Sequence, residues 1–289
     1  MIQTIYYQRG AANPIFENDF VLNIVRQYAP EAKKVTDVDE TGGEARTYSV
    51  DNNIILKVQR PQQLRNTTSL EREAFFLRQL ESIEGMSIPT VLGYGKEDTV
   101  EYTVMTRMPG LAVRYSNISG EQREKMLFEL GKMLFLIHSV DVKPFLDSGF
   151  FSDIDKDVND VKERLKANFD RGLKGLSEKL SHSEIDKANG MAADELKKIT
   201  EARIVPIHAN PSNTHTFVKS NNRFSGVIDF GDAYISHPIC DMRRWSLEDR
   251  KPLFDGYISS GKATADITVV YEVTAAMEKI LDDLSNKNN

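Results

Sequence analysis

Four residues of this 289-residue chain have the types and spacing to do chemistry together: Lys57, Glu73, His215 and Asp229. Lys57 lies in the apolar run Ile54-Ile55-Leu56-Lys57-Val58, where strand alternation puts it on the face of Ile55, toward a core. Glu73 shares a helical face with Leu77 and Leu80, at i, i+4 and i+7. Two charges at core-facing positions are costly unless they pair. The pair is either purely structural, or a carboxylate holding a lysine upright to grip phosphate oxygens. Gly42-Gly43 lies just upstream. With no Cβ on either residue the backbone can approach an anion closely there; the alternative is an ordinary turn.

His215 stands immediately before a short β-like run, Thr216–Val218, and Asp229 immediately after a second, Gly226–Ile228. Asn221-Asn222 between the runs signals a β-hairpin turn. Residues equidistant from a turn face one another across an antiparallel pair, so His215 and Asp229 are expected opposite each other at the open end. Nitrogen and oxygen converging there suit a divalent metal, or merely close the hairpin with a polar pair.

The elements that must position these residues fall into two regions. Apolar spacing over 18–28 predicts a helix, and strands follow around 34–38, 46–50 and 53–59, the last two joined by a turn at 51–53. Thr68 with Glu71 has the spacing of a capping box ahead of a helix through EREAFFLRQL. Strands are expected at 90–94 and 101–105. Beyond Pro109-Gly110 the pattern becomes mostly helical. Ser119 with Gln122 opens a helix whose Met126, Leu127, Leu130, Met133, Leu134 and Ile137 form one apolar stripe. Residues 152–200 are highly charged and weakly periodic, with a helix start at Ser181 and Glu184, and read as an exposed helical insertion. A strand at 203–207, the hairpin, and further helices from Pro238 complete an α+β chain.

Composition removes several function classes. Lys and Arg total 37 against 43 Asp and Glu, a net charge of -6, which offers no footprint for nucleic acid. One cysteine, Cys240, excludes an internal disulfide and a cysteine-rich metal site. No apolar run is long enough to span a membrane, and the N-terminus lacks the pattern of a secretory signal, so a cytoplasmic location is expected.

Taken in order, these pieces resemble the aminoglycoside phosphotransferase family, small-molecule kinases related in fold to protein kinases. The resemblance runs from roughly Asn18 to Tyr257. Its most specific part is IHANPSNTHTFV followed by GVIDFGDAYISHP, which looks like the family's catalytic loop and its metal-binding Asp-Phe-Gly-like motif. ILKVQR is similar to the nucleotide-binding lysine strand, EREAFFLRQL to the helix with the partner glutamate, and TRMPG to the hinge.

The resemblance implies a bilobal fold: a nucleotide-binding N-lobe over 1–107 and a catalytic C-lobe over 108–289, with a substrate-binding insertion at about 150–201. Lys57 would hold the α- and β-phosphates of ATP or GTP, Glu73 would fix it, and Gly42 and Gly43 would cover the phosphates. Thr106 and Met108 would meet the nucleotide base, and Asp229 with His215 would bind Mg²⁺. His208 would brace the catalytic loop and Asp241 would anchor it. His215 replaces the commoner Asn, as in the macrolide-phosphotransferase-like branch. Asn210 occupies the place of the catalytic aspartate, and an amide can orient a hydroxyl but cannot take its proton. Asp232 is the nearest spare carboxylate, a substitute base or else a substrate contact or helix cap.

The implied reaction is phosphorylation of a hydroxyl on a small molecule, an aminoglycoside-like antibiotic or a related metabolite, which would confer antibiotic resistance in the first case. Asp153, Asp155, Asp157, Asp160 and Glu163 would suit a polycationic acceptor, or are a solvated helix face. The alternative is a nucleotide-binding pseudokinase with a binding or regulatory role.

Overall fold

Alternating apolar residues in the first hundred positions build a five-stranded antiparallel sheet. A computed structural model describes residues 15–61, 68–97, 100–151, 154–261 and 265–287. After helix α1 (Asn18–Arg26) come β1 (Val35–Asp39), β2 (Ala45–Val50), β3 (Ile54–Gln59), helix α2 (Ser69–Leu80), β4 (Val91–Glu97) and β5 (Val100–Thr106), with spatial order β1-β2-β3-β5-β4. Asp51, at φ 49°, turns β2 into β3 so that Val50 pairs with Ile54.

The two faces of β3 have different duties. Ile54, Leu56 and Val58 bury against Val21, Ile24 and Val25 of α1. Ile55 and Lys57 point the other way, toward α2 and the C-lobe. Thr68 caps α2 by accepting from the Glu71 amide at 3.2 Å, and its hydroxyl proton is donated to buried Glu101.

The C-lobe continues through β6 (Leu111–Ala112), α3 (Gly120–Ile137), α4 (Lys143–Asp147), α5 (Val158–Leu176), α6 (His182–Lys197), β7 (Val205–Ile207), β8 (Thr216–Val218) and β9 (Phe224–Val227). It ends with β10 (Tyr234–Ser236), α7 (Ile239–Met242), α8 (Leu247–Ser259) and α9 (Ala265–Lys287). The expected apolar stripe of α3 is fully buried. Ser119 precedes that helix without a side-chain cap bond, and Gln122 instead accepts from Asn222 at the tip of the β8–β9 hairpin. The capping box at Ser181 and Glu184 is complete.

The region read as an exposed insertion is partly core. Val161, Leu165, Phe169 and Leu173 of α5, one residue per turn, are buried in the C-lobe core, with α5 and α6 packed on α9. Surface charge on the remaining three-quarters of the helix masks that narrow stripe in sequence. None of the described helices is long and apolar enough to cross a membrane.

Helices α3 and α8 meet backbone to backbone through two glycines. A Cβ on Gly131 would lie 1.9 Å from the Leu253 carbonyl oxygen, and one on Gly256 would lie 2.0 Å from that of Phe128. Gly131→Ala should therefore destabilise the protein by about 1–3 kcal/mol through overpacking. Gly190→Ala, in open space on α6, should stabilise it by up to about 1 kcal/mol through helix propensity. Urea unfolding midpoints check both, and equal shifts would contradict the close approach.

Candidate active site

Lys57 projects from β3 into the space between α2 and the C-lobe. Its ammonium donates to both Glu73 oxygens, at 2.9 and 2.8 Å, and to Asp229 Oδ1 at 2.9 Å. All three of its N–H bonds are thus engaged, joining the N-lobe to the loop after β9. Glu73 is buried and also accepts the Phe230 amide at 3.2 Å. Burial alone would lower the lysine's pKa, but the Asp229 and Glu73 carboxylates outweigh it and raise it above its ordinary value. Burial pushes Glu73 up, opposed by Lys57, while Lys57 holds Asp229 well below the usual carboxylate range. Asp229 stays ionised, and its side chain is 43% exposed.

His215 and Asp229 do converge, but not by the expected register. The hairpin turns about Asn221 rather than Asn222, with Lys219 N donating to Arg223 O at 2.9 Å. A bulge between Phe217 and Val218 recovers one residue, so that Thr216 pairs with Val227 and the Ile228 amide donates to His215 O at 3.0 Å. Asp229 therefore lies one residue beyond the position opposite His215. Its left-handed backbone, φ 71° and ψ 68°, turns the carboxylate back so that Oδ2 lies 3.3 Å from His215 Nε2. Such a conformation in a non-glycine residue is uncommon and marks a constrained site.

The donor pair fits a divalent cation. His215 Nδ1 is 2.8 Å from the Asn210 carbonyl, which can only accept, so Nδ1 carries a proton and Nε2 is the ring nitrogen turned toward Asp229. An imidazole nitrogen and a carboxylate oxygen at this distance are ligand types that a divalent cation takes. No cluster of three metal-capable side chains exists among the described residues. A Mg²⁺ held by these two would complete its shell with phosphate oxygens and water.

The segment from His208 to Pro211 is fastened from below. Asp241, fully buried, accepts the His208 amide at 3.0 Å, the Ala209 amide at 2.7 Å and His138 Nε2 at 2.9 Å. Ala209 is left-handed at φ 74°, and its carbonyl accepts Arg244 Nε at 2.6 Å. Trp245 Nε1 donates to Pro211 O at 2.7 Å. His208 braces the loop: Nε2 donates to Ile228 O at 2.9 Å and Nδ1 accepts the Asn210 amide at 3.3 Å. Burial lowers its pKa and keeps the ring neutral. The side-chain amide of half-buried Asn210 makes no hydrogen bond to another described residue.

Other expected positions lie around this centre. The Gly42-Gly43 loop leads into β2, whose Thr47 pairs with Lys57, and Arg60 secures it through Nε to Gly42 O at 2.8 Å. At the hinge the Thr106 amide is occupied by Thr90 O at 3.0 Å, so that N–H does not face a nucleotide base. Met108 is buried against Ser225 and Gly226. Asp232 is exposed on the turn after Asp229. Arg244, Trp245 and His138 escape sequence reading, because nothing in their local pattern reports a bond to a loop more than thirty residues away.

Of the five carboxylates considered for a polycation, Asp153 lies outside the described residues. Asp155 is buried in an ion pair with Arg164, and Asp157 caps α5. Only Asp160 and Glu163 remain on the surface of a cleft.

A glycine-bearing sheet loop, a strand lysine tied to a helix glutamate, and an aspartate beside a fastened loop together define a kinase-like phosphotransferase fold. The chain belongs to the Phosphotransferase enzyme family, which it matches over residues 38–249. No curated protein sequence matches it significantly. Among solved structures it is similar to the GDP complex of wild-type aminoglycoside 2′-phosphotransferase-IIIa, with TM-score 0.61 and 17% identity over 95% of this chain and 94% of the other. It also resembles a streptomycin–ATP ternary complex of an aminoglycoside 2″-phosphotransferase, with TM-score 0.56 and 16% identity over 94% and 97%. A macrolide 2′-phosphotransferase apoenzyme from Brachybacterium faecium gives TM-score 0.59 and 15% identity over 93% of each chain.

Removing Glu73 leaves Lys57 with Asp229 as its only carboxylate. Glu73→Ala should cost about 3 kcal/mol, the lower end of the range for breaking a buried pair. Lys57→Met combined with Glu73→Leu should recover most of that loss. Chemical denaturation of Lys57→Met, Glu73→Leu and the double variant reads the coupling, and additive losses would contradict a mutually dependent pair.

Proposed function

We propose that the protein transfers the γ-phosphoryl group of ATP or GTP to a hydroxyl of a small molecule. The observation that carries this reading is Lys57, clamped by Glu73 and Asp229 beside the fastened loop of His208 and Asn210. Phosphoryl transfer asks chiefly for positioning and charge neutralisation, which these groups supply.

In this reading Lys57 binds the α- and β-phosphates. Since its three N–H bonds are already used, phosphate oxygens must displace Asp229 from it. That exchange frees Asp229 to act with His215 toward Mg²⁺. When bound, the ion neutralises phosphate charge and orients the transferring group. The Gly42-Gly43 loop covers the phosphates, and the segment from Thr106 to Met108 borders the base. The acceptor oxygen attacks the γ-phosphorus and the β–γ P–O bond breaks, its electron pair leaving with the nucleoside diphosphate. Asn210 orients the acceptor hydroxyl but does not take its proton, which passes to water or to the transferred phosphoryl group. Exposed Asp232 is the carboxylate next available as a base.

The acceptor is a hydroxylated small molecule, aminoglycoside-like or a related metabolite. A second reading, a nucleotide-binding pseudokinase, is favoured by one observation: an amide at position 210.

Titration calorimetry should show ATP or GTP binding that requires Mg²⁺ and weakens at least tenfold in Asp229→Ala. Equal affinity with and without Mg²⁺ would overturn the metal assignment. Positioned general-base catalysis is worth about 10²–10⁴-fold. Asn210→Asp should therefore raise the phosphorylation rate at least a hundredfold with nucleotide affinity nearly unchanged. Identical rates would remove position 210 from proton transfer. Tight nucleotide binding without turnover in either protein would favour the pseudokinase.

A further inference from the structure

Beside the catalytic loop the C-lobe opens a cleft of about 1000 Å³ between α5, β10 and the segment after α7. Five cationic side chains line it: Lys156, Arg164, Arg171, Arg243 and Arg244. Three carboxylates accompany them: Asp155, Asp160 and Glu163.

The pairing among these groups decides the sign of the cleft. Arg164 is spent on Asp155, at 2.7 Å, and lies over the Tyr234 ring at 4.7 Å from its centroid. These two charges cancel inside the wall. Asp160 accepts the Lys156 backbone amide at 2.7 Å in the first turn of α5, so part of its charge is committed locally. Arg243 shares the single carboxylate of Glu278 with Arg250, at 3.1 and 2.7 Å. Lys156, Arg171 and Arg244 pair with no carboxylate among the described residues. Lys156, Arg171, Arg244 and the half-compensated Arg243 thus face Asp160 and Glu163, in a chain whose overall charge is -6. This local excess opposes the average field of the protein.

Its placement ties it to the reaction. Arg244 spends only Nε on Ala209 O, beside Asn210. Its terminal N–H groups stay available at the edge of the cleft next to the catalytic loop. Guanidinium forks match the planar oxygen pairs of carboxylates and phosphates, and a cation-lined concavity disfavours a polycation.

We infer that this cleft takes the acceptor and that the acceptor carries an anionic group, a carboxylate or a phosphate, besides its hydroxyl. Arg171, Arg243 and Arg244 hold the anion and so set specificity against cationic aminoglycosides. The inference rests on the phosphotransferase reading and narrows its acceptor class.

Three probes of graded charge test it on the full chain saturated with Mg²⁺ and ADP: glucose 6-phosphate, glucose and kanamycin. Calorimetry should show glucose 6-phosphate binding at least tenfold more tightly than glucose, with kanamycin weakest. Arg171→Glu, on an exposed residue outside the nucleotide site, should weaken glucose 6-phosphate at least fivefold and leave ADP affinity within twofold. Kanamycin binding more tightly than glucose 6-phosphate would overturn the inference. So would glucose 6-phosphate binding no better than glucose, or binding unaltered in both Arg171→Glu and Arg243→Glu. Failure of ADP itself to bind would instead sink the nucleotide reading, and the same charge series, run without nucleotide, would still decide the sign of the cleft.

Discussion

One ammonium group connects the two lobes. Lys57 leaves the sheet on the face opposite its apolar contact with α1, and meets one carboxylate from α2 and one from the turn after β9. Each partner is held by its own element: Glu73 on a helix face with buried Leu77 and Leu80, Asp229 by a left-handed backbone at the end of a bulged hairpin. A buried carboxylate needs a cation, and a buried lysine needs anions. The relative placement of sheet, helix and hairpin is therefore constrained by charge as well as by packing. With every donor of Lys57 in use, the phosphate binding proposed for it would be an exchange of oxygen partners on a fixed lysine.

A second constraint acts beneath the loop that bears Asn210. Ala209 occupies a left-handed conformation that disfavours a Cβ. It persists because Asp241 takes the amides of His208 and Ala209 while Arg244 takes the Ala209 carbonyl. Buried Asp241 is in turn satisfied by His138 on the core helix α3. Loop shape is thereby inherited from the C-lobe core, and strain is tolerated where neighbours over-determine the backbone. Asn210 is thus presented by a rigid frame whatever its own chemistry.

The nucleotide side and the acceptor side of such a fold follow different logic. On the proposed reading, the lysine, glutamate, aspartate and histidine of the first side would meet phosphate and a divalent ion. On the second side, the charge of the wall depends on which residues neutralise one another. Asp155 counts as negative in sequence, yet its charge is consumed by Arg164. Arg243 is only half compensated by Glu278, which also serves Arg250. Net charge along a segment therefore says little about the charge a ligand meets.

Much of the fold was legible before any coordinates, because local rules govern those elements. Alternation at Ile54–Val58, the caps at Thr68 and Ser181, and the apolar stripe of α3 all depend on neighbours within a few residues. The pairing of Lys57 with Glu73 was legible too, since two charges on core-facing positions have few other ways to be satisfied. What escaped depended on distant partners. The hairpin turns about Asn221, and the bulge at Phe217 makes up only one of the two residues by which that turn carries Asp229 past the position opposite His215, so symmetric counting from Asn222 misses the register. The buried stripe of α5 lay hidden under surface charge, because one apolar residue per turn suffices against α9. The roles of Arg244, Trp245 and His138 and the sign of the acceptor cleft were set only when the chain brought residues far apart in sequence within hydrogen-bonding distance. Sequence by itself determined the elements and the ionic pair, because secondary structure and buried-charge pairing obey local periodicity. Tertiary structure decided the geometry of the catalytic loop and the charge of the cleft, because both are sums over contacts that no local pattern encodes.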